Sequence, residues 1–264
     1  MPTVGIVSPG AMGSAVGASL LRGGARVVAT VAGRSVRTER LAREAGLELL
    51  PSLVEVVDSA DVVLSIVPPD QAESVSADLA GARLLVDLNA VSPATARRIS
   101  QEVDGSISGP PSGPGTTRIY LSGPRAGEVA ALPFDGVEVV VVGEEVGLAS
   151  AVKMSTASVY KGSVALLAQA LRAADHYGVL EHVLDDLGEL ASGAGRRIAR
   201  AASKSDRYVG EMREISAAQG AAGLESALFE AMALVYAEIA ETRLGRAAPE
   251  DAVSDLAESL RQLR

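Results

Sequence analysis

The stretch VGIVSPGAMGSAVGASLL, residues 4–21, decides the fold. It joins a short apolar run to a helical pattern of small residues through Gly10 and Gly13. In such a junction the backbone N–H groups of a helix start can receive a pyrophosphate, and glycines let it come close. The dinucleotide-binding loop reads GxGxxG, whereas the aligned residues here are Ser8, Pro9, Gly10, Ala11, Met12 and Gly13, so the first glycine is missing. The loop alone reads two ways, as a nucleotide cradle or as an ordinary strand-to-helix turn. Its place near the N-terminus, after a strand and before a small-residue helix, favours the cradle.

Outward from this loop, short runs rich in β-branched residues recur at 3–8, 25–32, 61–67, 82–89, 104–109, 118–123 and 137–143. The early ones alternate with helical patterns such as VRTERLAREAGL and QAESVSADLAG, which predicts parallel βα units covered on both faces. After Gly143 the period changes. Residues 144–178 form one long helical pattern, and further helical stretches follow, each closed by Gly or a polar turn. The predicted fold class is α/β: a Rossmann-type dinucleotide-binding domain over 1–143, then an all-helical domain over 144–264 for substrate binding and dimerisation. GPPSGPG at 109–115 reads as a rigid loop inside the first domain.

The second strand ends at VAGRSVRTERL, where dinucleotide folds place an acidic residue for free ribose hydroxyls or an arginine for a 2'-phosphate. Here stand Gly33, Arg34, Ser35 and Arg37, with no carboxylate before Glu39, which points to NADP(H) over NAD. The alternative is that both arginines only open a solvated helix.

Composition narrows the partners. The chain has 264 residues, 48% of them hydrophobic and 3% aromatic, so its core is built largely from Ala, Val, Leu and Ile. A net charge of −9 argues against a nucleic-acid partner. There is no cysteine, which excludes disulfides and thiolate chemistry, and His176 and His182 form no ligand constellation, so no metal is expected. Without a secretory-type start or an uninterrupted apolar span, the chain reads as cytoplasmic and not membrane-bound.

Four segments together resemble the β-hydroxyacid dehydrogenase and 6-phosphogluconate dehydrogenase superfamily. They are GIVSPGAMG, DLNAVSPATAR (87–97), DGSISGPPSGPG (104–115) and GLASAVKMSTASVYKG, the last matching the helix that carries a catalytic lysine. The helical half, with RYVGEMREISAAQGAAG, resembles a bacterial subgroup whose C-terminal domain had no assigned function. The resemblance implies an NAD(P)-dependent oxidoreductase acting on a small hydroxyacid or carbonyl, with Lys153 as general acid and base. Imine reductases form another branch, and a non-catalytic NADPH-binding protein is a third reading.

Ser106, Ser108 and Gly109 correspond to a substrate loop, although the serines could equally cap a turn. Asn89 and Ser92, at the end of the fourth strand run, are expected at the cleft, Asn89 beside cofactor as well as substrate. Val67 and Pro68 correspond to walls beside the adenosine half. Relatives carry an Asn one turn after the lysine, but Ala157 stands there, so Thr156, Tyr160 or Lys161 is left to contact substrate. Arg207, Glu211 and Glu214 read either as a solvated, salt-bridged helix or as a border of the cleft. Broad apolar helices such as ESALFEAMALVYAEIA predict a homodimer through the helical domain.

Overall fold

The computed structural model describes residues 1–100, 102–111, 117–247 and 255–264. Residues 112–115 of the GPPSGPG loop lie outside the described residues. The chain divides into two compact units, Met1–Met154 and Ser155–Arg264.

Among its described residues the first unit holds eight strands: β1 (Thr3–Val7), β2 (Arg26–Ala29), β3 (Glu48–Leu49), β4 (Val62–Ser65), β5 (Leu85–Asp87), β6 (Val103–Ser108), β7 (Thr117–Ser122) and β8 (Val137–Gly143). Between them run α1 (Ala11–Arg22), α2 (Val36–Glu44), α3 (Leu53–Ser59), α4 (Pro69–Asp78), α5 (Pro93–Ile99) and α6 (Ala126–Ala130). The sheet order is β3-β2-β1-β4-β5-β6-β7-β8. Strand order reverses between β1 and β4, which makes that point the crevice where open α/β sheets take ligands.

Alternation along the strands feeds two cores. Val4, Ile6, Val27, Leu64 and Val86 join Val16 and Leu20 of α1 on one face, while Val7, Val63 and Val67 join Val57, Ala72 and Ile99 on the other. This is the doubly covered sheet that the strand-helix alternation predicts. Two features depart from it. β3 is only two residues long, too short for a periodic signal. β7 runs antiparallel to β6, not parallel, because the connection of residues 109–116 is shorter than the dozen or so residues a crossover needs. β8 is again parallel to β7, so both reverse the direction of β1 to β6.

That reversal positions α7 (Leu148–His176), which starts beside the beginning of β6 and advances along it. The second unit continues α7 and adds α8 (Leu180–Leu187), α9 (Ala194–Ala202), α10 (Ser205–Ala221), α11 (Ala227–Glu241), α12 (Arg243–Arg246) and α13 (Leu256–Gln262). It is helical throughout its described residues. Its buried side chains include Leu171, Ile198, Met212, Ile215 and Tyr236.

Candidate functional site

The loop after β1 turns through Ser8, whose φ of 67° is the only positive value at a non-glycine among the described residues. Ser8 thus takes the left-handed conformation that a glycine adopts freely, at a cost of about 1 kcal/mol. Gly10 N donates to Ser8 O at 2.8 Å, and the Ser14 hydroxyl donates to Pro9 O at 2.7 Å, which closes the turn. Gly13 has no room for a side chain: a Cβ there would lie 2.5 Å from Ser8 O.

Gly10 differs. Among the described residues, and apart from its own chain neighbours, a Cβ on Gly10 would meet no atom within 4 Å, so their packing gives no reason for glycine there. As the residue preceding α1 it brings no side-chain acceptor, and the first turn holds no acidic residue. The positive end of the helix therefore faces an open space, with Ala11 exposed and Met12 half-buried beside it. A dinucleotide pyrophosphate fits that cradle. A cavity of about 420 Å³ lies along the flank of α1, past Met12, Ala15, Ser19 and Val137. It runs beside the helix rather than ahead of its start, and Arg22 in it is tied to Asp135 at 2.7 Å.

At the neighbouring tip of β2, Gly33 turns the chain with φ 71°. Ser35 caps α2, its hydroxyl accepting from Thr38 N at 3.2 Å. Arg40 and Arg43 pair with Glu44 and Glu39, whereas Arg34 and Arg37 have no acidic partner among the described residues. Both are exposed where a 2'-phosphate would lie in such folds.

Across the switch point, Asn89 is buried, and its Oδ1 accepts from Val67 N at 2.6 Å while its Nδ2 donates to Ser65 Oγ at 3.2 Å. It braces the segment after β4, including Pro68, against the segment after β5. Ser92, also buried, caps α5 by accepting from Thr95 N at 3.3 Å.

The remaining first-unit residues gather on β6 and α7. Asp104 is fully buried at the start of β6. Its Oδ2 accepts from Gly147 N at 3.0 Å, Ser150 N at 2.9 Å and Ser122 Oγ at 3.1 Å, and its Oδ1 accepts from Ser150 Oγ at 2.7 Å. Burial pushes this carboxyl above its ordinary range, and the hydrogen bonds offset part of that rise. Two residues on, Ser106 donates to Ala149 O at 2.9 Å. The start of α7 is thereby fixed to β6, and five residues along it Lys153 Nζ donates to Ile107 O at 2.6 Å. Ser108 is half-buried and Gly109 exposed, φ 113°, just past that carbonyl. Lys153 is thus delivered to the carboxyl end of β6, the end of the parallel strands where ligands bind.

Thr156, Ala157, Tyr160 and Lys161 belong to the second unit, one and two helical turns after Lys153 on the same helix. Thr156 is half-buried, Ala157 buried and Tyr160 exposed. Lys161 is ion-paired to Glu211, which also takes Arg207 at 2.9 Å. Glu211 is buried, so this part of α10 is not a solvated salt-bridged face. His176 ends α7 against Tyr177, and His182 is exposed on α8. No group of metal-ligating side chains occurs among the described residues.

Sequence reasoning missed Asp104 as a site residue. DGSIS shows only alternating polar residues along a strand run, which does not reveal that Asp104 meets the start of α7. Arg197 and Arg200, which line a cavity with Lys161, were also missed; nothing in GRRIAR separates them from a solvated helix.

Residues 3–91 match the family described as NADP oxidoreductase, coenzyme F420-dependent, and residues 174–239 match a domain of unknown function, DUF1932. A conserved protein of unknown function, described as structurally similar to 3-hydroxyacid dehydrogenases, is 30% identical over 93% of this chain and 100% of its own, with a TM-score of 0.67. The chain belongs to the family of that protein. An uncharacterized 28.5 kDa protein of Methanothermus fervidus is 28% identical over 60% of this chain, and the match spans 66% of that relative. The 3-hydroxyisobutyrate dehydrogenase of Mycobacterium tuberculosis, solved with L-serine, shares the fold at 20% identity and a TM-score of 0.70, over 100% of this chain and 99% of its own. The family's fold is thus related to that of the 3-hydroxyacid and 6-phosphogluconate dehydrogenases. No described helix is long and apolar enough to cross a membrane.

Proposed function

We propose that the protein is an NADP(H)-dependent oxidoreductase acting on a small hydroxyacid or its carbonyl counterpart, within the subgroup carrying this C-terminal domain. The observation that carries the reading is Gly10, a glycine that protein packing does not demand, at an uncapped helix start on the switch point. Gly10 and the first turn of α1 would hold the pyrophosphate, with Arg34 and Arg37 at the 2'-phosphate. When bound, the nicotinamide supplies or accepts hydride. Lys153 holds the exchangeable proton at Nζ, oriented by Ile107 O and by an α7 start that Asp104 immobilises. Ser108 and Gly109 lie close enough along the chain to meet a substrate oxygen there.

An NADPH-dependent imine reductase is the second reading, favoured by buried Ala157 where hydroxyacid relatives carry an amide. Exposed Val159 and Leu166 on α7 and Leu234 on α11 support a homodimer through the second unit, which light scattering tests.

Titration with NADPH and NADH, following nicotinamide fluorescence, tests the cofactor assignment. NADPH binds more tightly than NADH to the wild type, and Arg34→Ala removes that preference. A panel of carbonyls, hydroxyacids and imines then separates the two enzymatic readings, and Lys153→Ala lowers turnover by about 10²-fold or more if the lysine carries the proton. Tight NADPH binding without turnover across the panel would favour a non-catalytic binding protein.

A further inference from the structure

We infer that a cavity within the second unit, lined by residues of α7, α9, α10 and α11, is a binding site for a small organic anion that presents a carboxylate or phosphate group. The cavity measures about 360 Å³, and Lys161, Arg197, Arg200, Tyr160, Tyr208 and Tyr236 contribute to its wall. Among the described residues no acidic one lines it, although the chain carries 33 acidic side chains against 24 basic ones.

A second cavity in the same unit, of about 550 Å³, shows what an internally balanced wall looks like. There Arg172 pairs with Glu238 at 2.5 Å and Arg264 with Asp175 at 2.6 Å. Beside the first cavity, buried Glu211 is shared by Lys161 and Arg207. One carboxylate therefore faces two cations, while Arg200 has no acidic partner among the described residues and Arg197 donates to a backbone carbonyl, Leu190 O, at 3.1 Å. The local field remains positive. Half-buried Lys204, next to this group, is held below the usual lysine range by burial and then by Arg207 and Arg200.

The wall also accommodates an apolar stem. Tyr208 and Tyr236 meet edge to face with centroids 5.2 Å apart, and Lys161 Nζ lies 4.8 Å from the Tyr208 ring centre. The hydroxyl of Tyr236 is committed to Lys161 O at 2.8 Å, which fixes the ring and leaves recognition of the anion to the guanidinium groups. Cationic forks beside aromatic faces, in a space of this size, suit one small organic anion.

The inference rests on the second unit alone and does not require the oxidoreductase reading. Calorimetric titration of the full chain with inorganic phosphate and with benzoate, at ionic strength fixed with chloride, tests it on wild type, Arg200→Gln, Arg197→Gln and Arg34→Ala. The expected result is one saturable site that is weakened about tenfold in Arg200→Gln or Arg197→Gln, with unchanged melting temperature, and retained in Arg34→Ala. Tighter phosphate identifies a phosphate ligand, and tighter benzoate identifies a carboxylate. Absence of saturable binding for both anions, or binding lost in Arg34→Ala and kept in the two second-unit variants, overturns the proposal.

Discussion

α1 and α7 start with the same deficit, backbone N–H groups without intrahelical acceptors, and meet it in opposite ways. α7 is answered from inside the protein: Asp104 takes Gly147 N and Ser150 N, and Ser122 Oγ takes Ala149 N at 3.0 Å. α1 begins at a glycine with no side-chain cap, no acid in its first turn and open space ahead. The closed start makes a rigid mount for Lys153. The open start leaves a positive helix end without an internal answer, and in the proposed function the difference separates the part assigned to positioning a proton from the part assigned to the cofactor.

The largest effect expected from disturbing this contrast is at the closed end. Asp104→Ala leaves buried N–H groups of α7 without an acceptor and lowers stability by about 2–4 kcal/mol in urea unfolding. A loss under about 1 kcal/mol would show that α7 does not depend on the carboxylate.

A smaller effect comes from pH. Asp104 is raised above its ordinary 3.8 by burial, so the folded state holds this proton more tightly than the unfolded state does. The corresponding stability is fully present below that ordinary value and is lost as pH rises through the elevated folded pKa. Between those limits the wild type's pH slope is therefore more negative than that of Asp104→Asn, by up to about 1.4 kcal/mol per pH unit. Identical slopes for the two proteins would remove the linkage.

The smallest effect belongs to the open end. Ser8→Gly relieves the left-handed strain but gives the unfolded chain more freedom, so thermal unfolding shifts by no more than about 1 kcal/mol in either direction. NADPH affinity is unchanged, because the turn keeps its shape.

Much of this contrast was legible in the sequence. Apolar runs marked seven of the eight described strands, and Gly10 lies between β1 and α1 while Arg34 lies between β2 and α2. β3 escaped because two residues carry no period. The reversal at β7 is set by a connection too short for a parallel crossover, a property of spacing rather than of the strand residues. Asp104 escaped for a different reason. Its partners lie 43 and 46 residues further along, and nothing local to DGSIS says that a helix start will fold back onto it. Lys161 was visible as a helix lysine in register with Lys153, but its ion pair with buried Glu211 depends on how α7 and α10 pack.

The most direct measurement compares NADPH binding by wild type and Gly10→Ala. A methyl group at Gly10 meets no described atom beyond its chain neighbours, so stability changes by about 1 kcal/mol at most. The same methyl group enters the space assigned to the pyrophosphate, so affinity falls by about tenfold or more. Equal NADPH affinity in the two proteins, at equal stability, would contradict the assignment of the α1 start as the cofactor cradle.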